Sequence, residues 1–372
     1  LKRKWSIAVG LALAVLGALP AHAASKGTLG LAVVSWNTAL YETPDGKEEC
    51  PDGLALSTEA VYFQSLPPDE RARWEKATKG GTVDLDEKDD PISDLRRRAL
   101  ERGPHGEDVC WNPTVVKDPP LRTVQGDKSF GLNLDGTSDG RATANTCAHR
   151  KFTAPDGTPG IDNQWYRLIG CSYGWRSSGY VESNVNGELK DSGHAILIEI
   201  SGVEDPRNSP DVEVAFYRSL DLLPKDSAGD ILPFMSYRAY PNYRYVTHGQ
   251  IVDGELTTDP IDARFPFFGN LTHAEHFMRG MRLRLKIAPD GKGASGLVAG
   301  YYDLDTWWNY LSKLGYVSVA GRFDCPALWV AAHQLADGYP DPKTGQCTAL
   351  SSAFRIEAVT AFIVHPGQTA AR

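Results

Sequence analysis

The stretch that decides the fold runs from Met281 to Asp303, MRLRLKIAPDGKGASGLVAGYYD. Its first half alternates, with Leu283, Leu285 and Ile287 on one face and Arg284 and Lys286 on the other. A period of two is that of an extended chain with one buried and one wetted face. Pro289-Asp290-Gly291 then supplies residues that tolerate a hairpin turn, so the stretch reads as two antiparallel strands. Working outward, GTLGLAVVSWNTALYE (27 to 42), HAILIEISGV (194 to 203), DVEVAFYRSL (211 to 220), YRYVTHGQIVDGELTTD (243 to 259) and FRIEAVTAFIVH (354 to 365) show the same alternation or short β-branched runs.

One-faced strands in series, punctuated by Asp-Gly and Asn-Gly, suit an antiparallel sheet folded over its own apolar face. The expected fold is mainly β: an antiparallel β-sandwich, similar in outline to lectin-type and jelly-roll sandwiches, with a few short peripheral helices. Helices are expected in PPDERARWEKATKGG and in ISDLRRRALERG, the latter capped by Ser93. The acidic DLDEKDD at 84 to 90 reads as a solvated connector. Near the C-terminus, DTWWNYLSKLG starts at Asp305 as N-cap, and CPALWVAAHQLADG carries Pro326 in its first turn. Residues 24 to 125 form an N-terminal strand plus charged helices packed on the main domain, and 126 to 372 form the sandwich.

The first residues have the pattern of a cleaved secretory signal: Lys2-Arg3-Lys4, the apolar run IAVGLALAVLGAL, and Ala21-His22-Ala23 before an expected cut at Ala23. That places the protein in the periplasm or outside the cell. No later run is long enough for a membrane span. The chain carries a formal charge of −8, and an acidic surface argues against a nucleic-acid partner. Six cysteines in an exported chain suggest disulfides. Pairing chain neighbours would join Cys50 to Cys110, Cys147 to Cys171 and Cys325 to Cys347. Short C-x-x-C spacings are absent, as are glycine-rich phosphate loops, so neither haem nor a nucleotide is expected.

Chemistry is sparse. LNLDGTSDGRATANTC (132 to 147) contains a G-x-S-x-G match around Ser138, but neither an apolar strand before it nor a helix after it supports a nucleophile elbow. The same stretch has closely spaced oxygen donors. Asn133, Asp135 and Asp139, with Asp156 and Asp162 in the following APDGTPGIDNQ, could order a loop around Ca2+. The competing role for such residues is to close turns through side-chain to backbone bonds. His273 and His276 would share a face of a helix, but no third ligand can be assigned. His149 and His333 read as packing or hydrogen-bonding residues.

Aromatic residues cluster at Trp165 and Trp175, at Tyr243, and at Tyr302, Trp307 and Trp308. Rings beside carboxylates and amides make sugar platforms, though a β core also consumes large aromatics. The leading expectation is an exported, non-catalytic binding protein, stabilised by calcium, that holds a carbohydrate or other envelope ligand through these rings. Alternatives are a carbohydrate-active hydrolase with paired carboxylates drawn from Asp303, Asp305 and Glu199, and an accessory subunit docking another exported protein.

Overall fold

The computed structural model describes residues 26–78, 91–191, 195–269, 272–313 and 321–367. The expected signal segment and the acidic connector at 84 to 90 lie outside them. Strand β1 (Gly27–Thr38) is followed by helices α1 (Thr58–Ser65), α2 (Pro68–Thr78) and α3 (Pro91–Leu100). A long loop region holds the small hairpin β2 (Phe152–Thr153) and β3 (Pro159–Ile161). Then come α4 (Gln164–Ile169), a 3-10 turn (Tyr173–Trp175) and α5 (Val181–Asp191). Seven strands follow in series: β4 (Ile196–Val203), β5 (Ser209–Ser219), β6 (Met235–Val252), β7 (Glu255–Thr258), β8 (Ile261–Gly269), β9 (Thr272–Ile287) and β10 (Gly293–Asp303). The chain ends in α6 (Leu304–Lys313), α7 (Cys325–Leu335), β11 (Gly338–Pro340) and β12 (Cys347–Val364).

The sheet closes into an eight-stranded antiparallel barrel, which corrects the expected sandwich. Its order is β1-β4-β5-β6-β7-β9-β10-β12, and β12 returns to pair with β1 from Gly30↔Ala361 to Thr38↔Phe354. Alternation shows that a strand has one apolar face, but not whether the sheet splits in two or curls shut. Closure here depends on a pairing between the two ends of the chain. It is made possible by glycines where strands crowd: a Cβ on Gly30 would lie 2.4 Å from the Ala361 carbonyl oxygen.

Every barrel strand contributes to one interior. Leu31, Ile198, Val214, Ile251, Leu256, Leu285, Val298 and Ile356 are buried in a single cluster, each worth about 1.5–3 kcal/mol relative to exposure. Arg284 and Lys286, which alternate with Leu283 and Leu285 on β9, face outward and are exposed. No helix among the described residues is long and apolar enough to cross a membrane.

Strand β6 bends: Phe216 pairs with Tyr245, but Arg218 pairs with Tyr240. Beyond the bend its first residues run parallel to the end of β12, from Met235↔Ala361 to Arg238↔Val364. Strands β1, β4, β5, β6 and β12 thereby form a second, smaller ring that shares a wall with the barrel. This explains why residues pointing out of the barrel, such as Ala32, Leu197, Ala215 and Tyr217, are buried with Tyr237, Ala239 and Ala361.

Some local expectations shift. Helix α3 starts at Pro91, so Ser93 lies inside it and not at its cap. The residue that caps α6 is Asp303, whose Oδ1 accepts from the Thr306 N–H at 3.1 Å, while Asp305 stands in the first turn. Helix α7 carries Pro326 in its first turn, as expected, and is capped by Asp324. All six cysteines are bonded, but none to its chain neighbour. The pairs are Cys50–Cys171, Cys110–Cys325 and Cys147–Cys347, each tying a loop to a distant element. Nearness in sequence is a poor guide because the barrel brings together segments more than a hundred residues apart.

Candidate functional site

The loop from Gly131 to Asn163 lies against the outer face of β10 and β12, and its aspartates sort into two groups. Asp139 and Asp156 are exposed and close their own turns, accepting from the Arg141 N–H at 3.3 Å and the Thr158 N–H at 2.9 Å. Asn133 also closes its turn, accepting from the Gly136 N–H and donating to the Thr137 carbonyl. Asp135 and Asp162 are the pair brought together, with His149, so that one ligand atom from each lies within 4.8 Å of the others.

The cation between these two carboxylates is a side chain. Lys151 Nζ donates to Asp135 at 2.6 Å and also to Asp162. The remaining lone pairs are taken by Thr137 on Asp135, and by the Leu134 N–H and His149 on Asp162. A calcium ion would have to displace a buried ammonium. Burial works against ionisation of Asp135, but bonds from Lys151 and Thr137 outweigh it and hold its carboxyl below the usual range. Ser138 is exposed on the same turn, and no helix follows it.

Behind this group stands Asp337, fully buried. One oxygen accepts from the Ser351 N–H at 2.7 Å, while the other has no hydrogen bond and lies 3.6 Å from His149 Nε2. Burial pushes Asp337 up to about 6, against the opposing field of His149. Burial pulls His149 down, but its bond to Asp162 and the field of Asp337 raise it overall.

His273 and His276 fall within strand β9, not on the helix their spacing would have required to share a face. His276 is buried against Tyr302, and burial holds it down at about 3. Of the nominated carboxylates, Asp303 accepts from Arg279 at 2.7 Å, whereas Glu199 on β4 accepts from His365 at 3.0 Å. His333 bonds the Trp329 carbonyl within α7.

Five of the six aromatic candidates sit in the core. Trp165, Trp175, Tyr302, Trp307 and Trp308 are buried and extend the barrel interior into the layer of α4, α6 and α7; Trp165 and Trp307 meet edge to face at 5.2 Å. Tyr243 reaches solvent, 5.6 Å from the Tyr240 ring, with its hydroxyl 3.3 Å from Glu275.

Concavity lies elsewhere. The loop after β1 and the turn after Trp175 enclose a cleft of about 580 Å³, lined by Glu42, Thr43, Asp45, Arg176, Ser177 and Ser178, with Pro44 and Leu54 as its apolar part. The Cys50–Cys171 bond joins these two segments, and the Ala55 N–H donates to the Cys171 carbonyl at 2.8 Å. Arg176 is the wall's anchor: Nη2 meets Glu49 at 2.7 Å, Nε lies 3.2 Å from Glu42, and Nη1 donates to the Gly170 carbonyl at 3.1 Å. Glu49 is buried, yet the Thr43 and Arg176 bonds overcome that burial and lower its carboxyl. Both Glu42 oxygens accept from the Ser177 N–H at 3.2 Å. No sequence spacing links Glu42 to Arg176; a correct Cys50 pairing would have been the signal. Comparison with protein-family models, with curated proteins and with solved structures finds no match for this chain.

Proposed function

We propose that this protein is an exported, non-catalytic binding protein that takes a carbohydrate into the cleft between the Glu42 loop and the Arg176 turn. The observation that carries this reading is the cleft's wall. Carboxylates, a guanidinium and three hydroxyls converge on a concavity within the roughly 300–1,000 Å³ range of small-ligand sites. Ionised groups make the strong, directional hydrogen bonds that a polyol can satisfy with several hydroxyls at once. The aliphatic faces of Pro44 and Leu54 offer the apolar contact that a sugar ring requires. The barrel interior is already filled by its own side chains, so binding falls to the outside. Three disulfides suit an oxidising compartment.

The test is glycan-array binding with the full chain and with Glu42→Gln, which keeps an acceptor for Ser177 but removes the charge facing Arg176. Binding should fall at least about tenfold in the variant, a loss of about 1.4 kcal/mol. An array with no bound sugar, or binding indifferent to Glu42, would overturn the reading. The half-exposed pair Tyr240 and Tyr243 favours a second reading, docking of another exported protein. Capture of a defined partner lost on Tyr243→Ala, with sugar binding intact, would separate the two.

A further inference from the structure

The cleft's charge balance points to a narrower ligand class than carbohydrate. Resting on the proposed sugar site, we infer that the cleft selects sugars carrying a free primary amine, as its ammonium form. Arg176 is the one basic residue among the described lining, and its charge is already matched. Glu49 lies directly against it at 2.7 Å, buried and held in its ionised form by Thr43 as well. Two further carboxylates, Glu42 and Asp45, remain on the wall. Glu42 approaches Arg176 only from the Nε side, at 3.2 Å, and shares its oxygens with the Ser177 N–H.

Lys128, Arg122 and Lys47 lie outside the lining. Lys128 pairs with Glu48 at 3.0 Å, outside the lining. Arg122 donates to the Leu54 carbonyl at 2.8 Å, beside Gly53, and is not itself a lining residue. Lys47 meets Asp45 through its backbone N–H at 3.2 Å, and its side chain is not part of the lining. The lining therefore carries two carboxylates to one guanidinium, beside the hydroxyls of Thr43, Ser177 and Ser178. A neutral sugar leaves those carboxylates with hydroxyl donors alone. An ammonium supplies three donors and a countercharge at one atom. An N-acetyl group on the same nitrogen removes the charge and adds bulk, so it serves as the discriminating change.

The experiment is calorimetric titration of the full chain at about pH 5.5, using glucosamine oligosaccharides and their fully N-acetylated counterparts. The free amines should bind at least about tenfold more tightly, and Asp45→Asn, on an exposed turn, should erase most of that difference while leaving the melting temperature unchanged. Equal binding of both oligosaccharides, or preference for the acetylated form, overturns the amine inference and leaves the sugar site standing. Binding of neither, together with an empty glycan array, removes both. A preference for the amines that persists in Asp45→Asn and Glu42→Gln alike places the selectivity outside this cleft and also overturns it.

Discussion

Asp337 carries the clearest consequence at the scale of a single residue. Its folded form holds a proton at a pH where an unfolded aspartate, near 3.8, does not. The native state then binds more protons than the unfolded state between about pH 4 and 6, so stability falls as pH rises through that window. His149 acts in the same direction: its raised folded value adds stability below its ordinary 6.5 that is lost as pH climbs through the folded value. For Asp337 alone the loss amounts to roughly 3 kcal/mol. Asp337→Asn keeps an acceptor for the Ser351 N–H and removes the buried charge. Urea unfolding at about pH 4.5 and 7.5 should show a smaller stability difference in the variant than in the parent. Identical differences would discard this account. Asp135 and Glu49, held low, act in the opposite direction: their contribution is lost as pH falls from their ordinary values, 3.8 and 4.5, toward the lowered folded ones.

At the scale of elements, the seam between β1 and β12 has little room for error. Gly30→Ala would place a methyl group 2.4 Å from the Ala361 oxygen and 3.2 Å from Ile363 Cγ1. Backbone cannot yield as a side chain does, so a loss of about 1–3 kcal/mol is expected. Gly187→Ala, in α5 with open space around it, should instead gain roughly 0.5–1 kcal/mol from helix propensity. Denaturant midpoints of the two variants should move in opposite directions; a stabilising Gly30→Ala would contradict the crowded seam. The same elements show what could be read from sequence. Alternation in LRLKIA and the Pro-Asp-Gly turn identify β9, β10 and their hairpin from local chemistry. Closure could not be read that way, since it joins residues 30 and 361, and its one local trace is glycine inside strands, as at Gly30, Gly249 and Gly293. Turn-closing by Asn133 and Asp135 was legible from their Asx chemistry, but Lys151 as the ion between two aspartates was not, because no spacing rule connects positions 135, 151 and 162.

For the whole molecule, the disulfides bind the outer loops to the barrel. Cys147–Cys347 spans 200 residues and fastens the loop carrying Asp135 and His149 to the start of β12. Replacing both cysteines by alanine should cost about 2–5 kcal/mol, measured by denaturant unfolding. A loss under about 1 kcal/mol would show that the loop is held by its polar contacts instead. The union of β1 with β12 also sets an order of events. The first barrel strand made has no final partner until the last one exists, because Gly30 to Thr38 must wait for Phe354 to Ala361. Closure of the barrel thus has to wait for β12, and pairing across so long a separation is the slow kind of contact to form. Until β12 has been made, β1 can pair with β4 alone, and a polypeptide with this topology is an open sheet with a bare edge.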